Sequence, residues 1–242
     1  MIIKSVCVIG GAGFLGRHIV RQLAASGVQV RVPTRRRERV KDLILLPTVD
    51  VVNADVHDVA TLERLVTGCD AVINLVAILN ETRSGDFTRV HKELPRKIVN
   101  ACRERGVYRL MHVSALNASH DAPSQYLRSK AEGEQQIRVA QASGIHTTIF
   151  RPSVIFGRED RFLNLFAQMA HSLPAIPLAS PKSRLSSLRM MLHIRPLFAS
   201  WRNDFPNESR PHSLHRPDPA GDGSLSDLGH YVHQAFKAPL LF

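Results

Sequence analysis

The stretch CVIGGAGFLGRHIV, Cys7–Val20, joins an apolar run to glycines spaced three apart and then to an amphipathic segment. At the end of a strand, the first glycine of such a set permits a tight turn, and the second lets the backbone approach a pyrophosphate. The third lets the following helix pack close to the strand. Free N–H groups at the start of that helix favour an anion. The stretch predicts a dinucleotide-binding turn made by Gly10, Gly13, Phe14, Leu15 and Gly16.

Outward from this turn, short apolar runs alternate with longer segments of helical periodicity, from residue 2 to about residue 151. This alternation is typical of a parallel sheet covered by helices on both faces. We therefore expect an α/β fold, a doubly wound parallel Rossmann sheet flanked by helices, with an incomplete or irregular C-terminal region. Helices are expected to begin near Leu15, Val59, Asp86 and Ser124. The six predicted strands are Ile2–Ile9, Val28–Val32, Val49–Asn53, Asp70–Ala77, Arg109–Ala115 and His146–Arg151.

Composition narrows the class of protein. A chain of 242 residues with 44% hydrophobic residues can bury one sizeable core. No window reaches the roughly 18 apolar residues of a membrane-spanning helix, and the N-terminus lacks a secretory signal pattern, so we expect a cytoplasmic protein without a transmembrane segment. Three cysteines without metal-ligand spacing predict neither a disulfide nor a metal site.

The formal net charge of +11 raises the question of an acidic partner, either a nucleic acid or an anionic membrane surface. Much of the clustered charge is the run Arg35–Arg39, in which no aromatic residue is interleaved. Proteins that bind single-stranded nucleic acids need such aromatic residues to stack the bases. The sequence therefore argues against nucleic-acid binding, and the partner expected first is a dinucleotide.

The second predicted strand ends in arginines, without the Asp or Glu that would accept a hydrogen bond from a ribose 2′-hydroxyl. A guanidinium pairs with a 2′-phosphate, whereas a carboxylate repels it. Arg35 and Arg36 therefore favour NADP(H) over NAD(H), although either could also lie on a solvated loop. After the third strand, Asp55 and Val56 are expected to line an adenine pocket through the carboxylate and the following N–H group.

In the segment YLRSK, Tyr126 and Lys130 lie four apart on a predicted helix and hence on one face. A neighbouring ammonium stabilises a phenolate, so the pair can act as acid or base beside a hydride acceptor. Ser114, at the end of the fifth strand, is expected to steady the same oxygen. This spacing also occurs by chance on solvated helices, but here the serine, the tyrosine helix and the glycine turn meet at one rim of the sheet.

With these residues the chain resembles the short-chain dehydrogenase/reductase superfamily in its extended or atypical branch. The resemblance is closer to the family of the NADPH-binding accessory subunit of respiratory complex I and its bacterial relatives. It rests on segments such as GGAGFLGRHIV, VINLVAIL, YLRSKAEGE and RPSVIFG, and covers about residues 1–182. It implies that many members bind the cofactor without demonstrated turnover. The further residues that it places around NADPH are Arg36, Asp55, Val56, Ala77, Tyr126, Lys130, Arg151, Pro152 and Ser153.

The sequence changes character after Lys182. Residues 183–242 contain six of the chain's 14 prolines, and short helices are predicted there only at Leu185–Leu192 and Leu225–Phe236. We interpret residues 1–182 as an NAD(P)-binding Rossmann domain and residues 183–242 as an irregular or disordered tail that replaces the substrate lobe of the family. A reading-frame change is one explanation, because Met190–Met191 is encoded by ATGATG, which after a preceding G would read Asp-Asp in the frame one base earlier, as in the family's motif.

Two functions follow from the resemblance and the residues. The first is an NADP(H)-binding accessory or assembly protein of a respiratory or quinone-linked complex, peripheral on the inner face of a respiratory membrane. The second is an active NADP-dependent oxidoreductase or sugar-nucleotide epimerase/dehydratase, with Tyr126 as proton carrier and Lys130 as its electrostatic partner. The closer family resemblance favours the first, and the retained Tyr126 and Lys130 favour the second.

Overall fold

Six parallel strands form one sheet in the computed structural model, which describes residues 3–156 and 187–189. The spatial order of the strands is β3-β2-β1-β4-β5-β6. Four consecutive residues of β1 are buried because helices cover both faces of the sheet, which is why the strand reads as an unbroken apolar run. All six predicted strands are confirmed: β1 (Ser5–Ile9), β2 (Gln29–Thr34), β3 (Val49–Asn53), β4 (Ala71–Asn74), β5 (Arg109–Val113) and β6 (His146–Phe150).

The four predicted helices are present, and two of them begin at a capping side chain. The carboxylate of Asp58 accepts from Thr61 N–H at 2.8 Å, and the hydroxyl of Ser124 accepts from Leu127 N–H at 3.2 Å. The third predicted helix is preceded by a π-helical turn, Thr88–Glu93, and a short helix after β2 was not predicted. The helices are α1 (Phe14–Ala25), α2 (Lys41–Ile44), α3 (Val59–Val66), α4 (Leu94–Glu104) and α5 (Gln125–Gln141).

The order of the strands places a crevice at the centre of the sheet. The chain runs outward from β1 through β2 to β3 and then returns to β4, which pairs with the other side of β1. In open α/β sheets, ligands bind outside the carboxyl ends of the strands at the point where the order reverses. Here that point lies between β1 and β4, directly at the glycine turn.

Gly16 allows α1 to lie against this turn. A Cβ atom at Gly16 would overlap the carbonyl oxygen of Gly10 and would come within 2.6 Å of the Cα of Gly11. Ile19, Val20 and Leu23 of the same helix are buried in the core. The third glycine therefore has the packing role that the sequence predicts.

The first compact unit of the chain runs to Arg151, and the second begins at Pro152. Within the second unit, β7 (Val154–Phe156) pairs in parallel with β8 (Ser187–Arg189). The predicted helix at Leu185–Leu192 is wrong over residues 187–189, where pairing with β7 holds the backbone extended. The predicted boundary at residue 182, the helix at Leu225–Phe236 and the other residues of the tail lie outside the described residues. Within the described part of the chain, no helix combines the length and apolar character that a membrane span needs.

A buried polar pair joins β4 to β5 inside the sheet. The Asn74 Nδ2 group donates to Nδ1 of His112 at 3.1 Å, which places the imidazole proton on Nε2. Nε2 has no acceptor among the described residues. Burial, together with the nearby charges of Lys130 and His91, lowers the pKa of His112 well below 6.5. His112 is therefore held neutral in the folded protein.

Replacing His112 by Asn is expected to make stability less dependent on pH. Below pH 6.5 the unfolded chain takes up a proton on His112 and the folded chain does not, so this residue removes stability as the pH falls, by about 1.4 kcal/mol per pH unit. Urea unfolding between pH 6.5 and 5 should give a shallower decline for His112→Asn than for the wild type. The exposed His120 provides the control, since His120→Asn should keep the full slope. Equal slopes for His112→Asn and the wild type would contradict this assignment.

Candidate functional site

The turn after β1 presents an open, uncapped helix terminus. Gly10 adopts a φ of +87°, and Gly13 N–H donates to the Gly10 carbonyl at 3.0 Å, which closes the turn. A side chain at Gly10 would meet the backbone of Leu75 and Val76 at 3.1 Å, whereas one at Gly13 would meet only the Gly10 carbonyl at 3.2 Å. The outer side of Gly13 is thus free for a ligand. This confirms the geometry that the second glycine of the motif requires.

The first turn of α1 carries unused hydrogen-bond donors. The first N–H bond of the helix runs from Arg17 to Gly13 at 2.9 Å, and no side chain caps the terminus. The N–H groups of Phe14, Leu15 and Gly16 therefore have no acceptor among the described residues. These donors and the helix dipole suit a pyrophosphate.

The carboxyl end of β2 carries two uncommitted guanidinium groups. Arg35 and Arg36 are exposed, and neither side chain donates to a described residue. Their neighbour Arg37 is committed, because its Nε donates to the Val51 carbonyl of β3 at 3.0 Å. The structure therefore leaves the two predicted arginines available for a polyanionic ligand.

The loop after β3 has a fixed backbone and a free donor. The carboxylate of Asp55 accepts from His57 N–H at 3.0 Å, and Lys97 Nζ donates to the His57 carbonyl at 2.8 Å. The N–H group of Val56 has no acceptor among the described residues. Burial and the nearby charge of Arg89 lower the pKa of His57. The adenine contact predicted for Asp55 and Val56 is compatible with this arrangement.

Tyr126 and Lys130 both lie on α5, but the contacts of the lysine differ from the expected pair. Lys130 is only 1% exposed, and its Nζ donates to the Val113 carbonyl at the end of β5, at 2.8 Å. Burial lowers the pKa of Lys130 to about 8, opposed by the charge of Glu134. Burial raises the pKa of Tyr126. The expected stabilisation of a phenolate is therefore not found, and the phenol of Tyr126 is held in its protonated form.

Arg151, at the end of β6, is engaged by a buried carboxylate. Its Nε and its terminal nitrogen donate to the two oxygens of Glu134 at 2.7 and 2.6 Å, in the paired geometry that arginine and carboxylate favour. Burial raises the pKa of Glu134, but hydrogen bonds from Arg151 and Ser114 outweigh it and bring the value below normal. The Ser114 hydroxyl thus lies beside Glu134, although outside ideal hydrogen-bond geometry. Its role at the Tyr126 oxygen stays a prediction.

Two further residues of the predicted site, Pro152 and Ser153, are half-buried and begin the second unit of the chain. Their contact with a dinucleotide stays a prediction. Ala77 is exposed in the loop that follows β4.

His91 is a site residue that sequence reasoning missed. Its Nε2 accepts from Ile78 N–H at 3.1 Å, and its Nδ1 lies 2.8 Å from the Ser129 hydroxyl, which in turn donates to the Tyr126 carbonyl at 2.7 Å. Because that hydroxyl donates to the carbonyl, it accepts from Nδ1–H, which fixes the tautomer. The ring stacks on Phe87, with centroids 5.3 Å apart, and meets the Tyr126 ring edge-on at 5.6 Å.

Asn74 was also missed, and it supports the same loop. Its Oδ1 accepts from Val76 N–H at 3.2 Å. A polar residue at the carboxyl end of an otherwise apolar strand could have marked Asn74 as a candidate. His91 offered no comparable pattern, since it lies within the π-helical turn.

A family model described as NAD(P)H-binding matches residues 10–162. Subunit 9 of the NADH dehydrogenase [ubiquinone] 1 alpha subcomplex from Mus musculus is 42% identical over 179 residues, which cover 72% of this chain and 46% of that protein. The Dictyostelium discoideum subunit 9 is 34% identical over 75% of this chain and 51% of its own length. The ceramide reductase of Caulobacter vibrioides is 35% identical over 78% and 57%. The chain spans about half the length of these curated relatives.

Solved structures share the fold at low identity. MoeE5 in complex with UDP-glucuronic acid and NAD gives a TM-score of 0.79 at 18% identity, covering 96% of this chain and 82% of that one. The UDP-glucuronic acid 4-epimerase of Bacillus cereus in complex with NAD gives 0.79 at 19% identity, covering 97% and 85%. The family model, the curated relatives and the glycine turn agree, so the chain belongs to the NAD(P)H-binding family and is a short-chain dehydrogenase/reductase-like Rossmann protein related to subunit 9 of complex I.

Proposed function

We propose that this chain binds NADP(H) in preference to NAD(H) and acts as an accessory or assembly protein of a respiratory or quinone-linked complex. The observation that carries the cofactor preference is the pair of exposed, uncommitted guanidinium groups of Arg35 and Arg36. No carboxylate occupies the end of β2, where one would repel a 2′-phosphate. Two other arginines nearby share one carboxylate: Arg17 and Arg21 bind Asp42 at 2.5 and 2.8 Å.

Each part of the dinucleotide has a proposed place. The pyrophosphate lies on Gly13 and the N–H groups of Phe14, Leu15 and Gly16, and the adenine lies by Asp55 and Val56. The nicotinamide half extends over Ala77, Tyr126 and Lys130. We propose that Arg151 acts on the dinucleotide site indirectly, because its guanidinium already donates to both carboxylate oxygens of Glu134. Pro152 and Ser153 remain proposed contacts from the resemblance alone.

The accessory role is supported by the names of the curated relatives and by the chemistry of the buried pair. The mouse and slime-mould relatives are named as subunits of a ubiquinone-linked NADH dehydrogenase. Within this chain, the Lys130 ammonium is bonded to the Val113 carbonyl and the Tyr126 phenol is held protonated by burial. Neither observation prepares a base at neutral pH. The net charge of +11 would also favour an anionic membrane surface.

A second candidate is an active NADP-dependent oxidoreductase or sugar-nucleotide epimerase/dehydratase. Its support is the retained pair of Tyr126 and Lys130 on one face of α5. A bound nicotinamide would supply or accept a hydride. The protonated phenol of Tyr126 would then donate its proton to a carbonyl oxygen that is being reduced. Burial lowers the pKa of Lys130 to about 8, and at pH 7 its side chain is still mostly protonated and supplies a cation on the same helix.

The wild type is expected to bind NADPH more tightly than NADH, and Arg36→Asp should narrow or reverse the difference. Loss of a hydrogen bond to a charged group, with repulsion added, should weaken NADPH binding about 10- to 100-fold. Fluorescence titration of both nucleotides measures this. Arg103→Asp, the same charge change at an exposed site on α4, should leave both affinities near the wild-type values. Equal affinities of the wild type for the two nucleotides would refute the preference.

Tyr126→Phe tests the enzymatic candidate. Without the phenolic proton donor, any NADPH oxidation measured with a panel of ketones and quinones should fall about 10²- to 10⁴-fold. Cofactor affinity should stay within a few-fold, because the ring remains. Tyr108→Phe is the matched control. Tyr108 is 60% exposed and directly precedes β5, at the amino end of that strand, whereas the proposed site lies at the carboxyl ends of the strands. An unchanged rate in Tyr126→Phe would remove this residue from the mechanism.

The accessory role predicts physical association with a respiratory complex. Tagged chain expressed in its source cells should copurify with respiratory-complex subunits from detergent-solubilised membranes, and a tagged Arg103→Asp variant should behave alike. Recovery of the chain without any such subunit, while it still binds NADPH, would favour the enzymatic candidate instead.

A further inference from the structure

The strand order fixes which half of a dinucleotide lies over which loop. Arg35 and Arg36 follow β2, and the glycine turn follows β1. With the pyrophosphate on the turn and the 2′-phosphate at the arginines, the other half must extend away from β2. In that direction lie the ends of β4 and β5, which carry the loop of Ala77 and the Val113 carbonyl that binds Lys130.

The backbone on both sides of Ala77 is held by side chains. Val76 N–H donates to Asn74, and Ile78 N–H donates to His91. Ala77 itself is exposed, and its own N–H group has no acceptor among the described residues. The loop is therefore fixed around one residue whose backbone donor remains available to a ligand.

His91 connects this loop to the first turn of α5. One ring nitrogen accepts from Ile78, and the other donates to Ser129, whose hydroxyl reaches the Tyr126 carbonyl. The imidazole is 2% exposed, so neither hydrogen bond competes with bulk water. A buried donor left without its acceptor is costly, which makes each of the two bonds a strong constraint.

The local backbone structure positions the His91 side chain between its two partners, Ile78 and Ser129. The π-helical turn Thr88–Glu93 displaces the chain from the regular helical register just before α4. On the facing helix, a Cβ atom at Gly133 would overlap the carbonyl oxygen of His91, so only glycine admits α5 this close. π-Helical turns within helices are frequent at functional sites.

The ring also keeps one protonation state. Burial and the charge of Lys130 lower the pKa of His91 to about 3, so Nε2 stays an acceptor at neutral pH. The ionisable groups that face it are Lys130 and Tyr126 on α5 and His112 on β5.

We propose that His91 is a positioning residue for the nicotinamide half of the bound dinucleotide: it holds the Ala77 loop through Ile78 and ties that loop to the Tyr126 turn through Ser129. This inference rests on the proposed NADP(H) binding. In this proposal, the His91 imidazole holds the nicotinamide half of the site in its binding shape and need not contact the ligand itself.

Two ligands separate this role from a general structural one. NADPH spans both halves of the site, whereas adenosine 2′,5′-bisphosphate carries only the adenosine and its phosphates. His91→Phe keeps an aromatic ring on Phe87 but removes both hydrogen bonds. Calorimetric titration should show NADPH binding about tenfold weaker than in the wild type. Binding of the bisphosphate should stay within about twofold, because its proposed contacts lie at the glycine turn and at the ends of β2 and β3.

Two conservative variants add a test by rescue. In His91→Gln the side-chain oxygen can reach the former Nε2 position and accept from Ile78, so NADPH affinity should recover to within about threefold of the wild type. In His91→Asn the shorter side chain reaches only the former Nδ1 position, so NADPH binding should stay as weak as in His91→Phe. These two variants carry the comparison if His91→Phe does not fold.

Three results would overturn the inference while leaving the cofactor assignment intact: wild-type NADPH affinity in His91→Phe, equal weakening of both ligands, or equal recovery in His91→Asn and His91→Gln. A wild-type protein that binds neither ligand would instead refute the proposed NADP(H) binding, and this inference with it.

Discussion

The close contact between α1 and the turn after β1 is the constraint on which the rest of the site depends. Gly16 brings the helix onto the carbonyl oxygen of Gly10, so the N-terminus of α1 points across the end of the central strand. Burial of Ile19, Val20 and Leu23 holds the helix there, and each such side chain contributes about 1.5–3 kcal/mol. A rigid helix end with free N–H groups is thereby placed where the strand order reverses.

The parts of the fold that repeat a simple period could be predicted from sequence. The strands buried on both faces appear as apolar runs, and the helices between them keep the 3.6-residue period, so six strands and four helices were found. The π-helical turn at Thr88–Glu93 could not be found, because its longer spacing interrupts that period for only six residues. The short α2 has only four residues, so its buried apolar positions, Val40 and Leu43, span a single turn and establish no period.

The buried polar contacts could not be predicted either, for a related reason. His91 and Ser129 are 38 positions apart, as are Asn74 and His112, and no local pattern links such partners. The sequence predicted Lys130 as the electrostatic partner of Tyr126 and gave no sign that it is buried, since lysine is almost never fully buried without a partner. In the fold its ammonium donates to the Val113 carbonyl, which offsets part of the cost of its burial. Arg35 and Arg36, in contrast, could be chosen as candidate cofactor contacts from their position after β2 alone.

Electrostatics at this rim depends on which charges remain unpaired. Among the arginines near the turn, Arg17 and Arg21 share the carboxylate of Asp42, and Arg37 donates to a backbone carbonyl, so these three side chains are held in place. Such exposed ion pairs contribute little to stability, about 0–1 kcal/mol each. These contacts leave Arg35 and Arg36 exposed, and neither of the two side chains donates to a described residue.

The two candidate functions make different demands on the same set of contacts. A binding subunit needs a preformed surface, and the hydrogen bonds around Ala77, His91 and Ser129 supply one without any proton transfer. An enzyme also needs a group whose protonation changes during the reaction. The raised pKa of Tyr126 keeps its phenol protonated and makes it a poor base at neutral pH, so these contacts suit reduction of a carbonyl better than oxidation of an alcohol. A preformed site thus serves both functions. The enzyme alone requires a proton transfer in addition, and the direction of that transfer, from Tyr126 to the substrate, is what the tyrosine contributes.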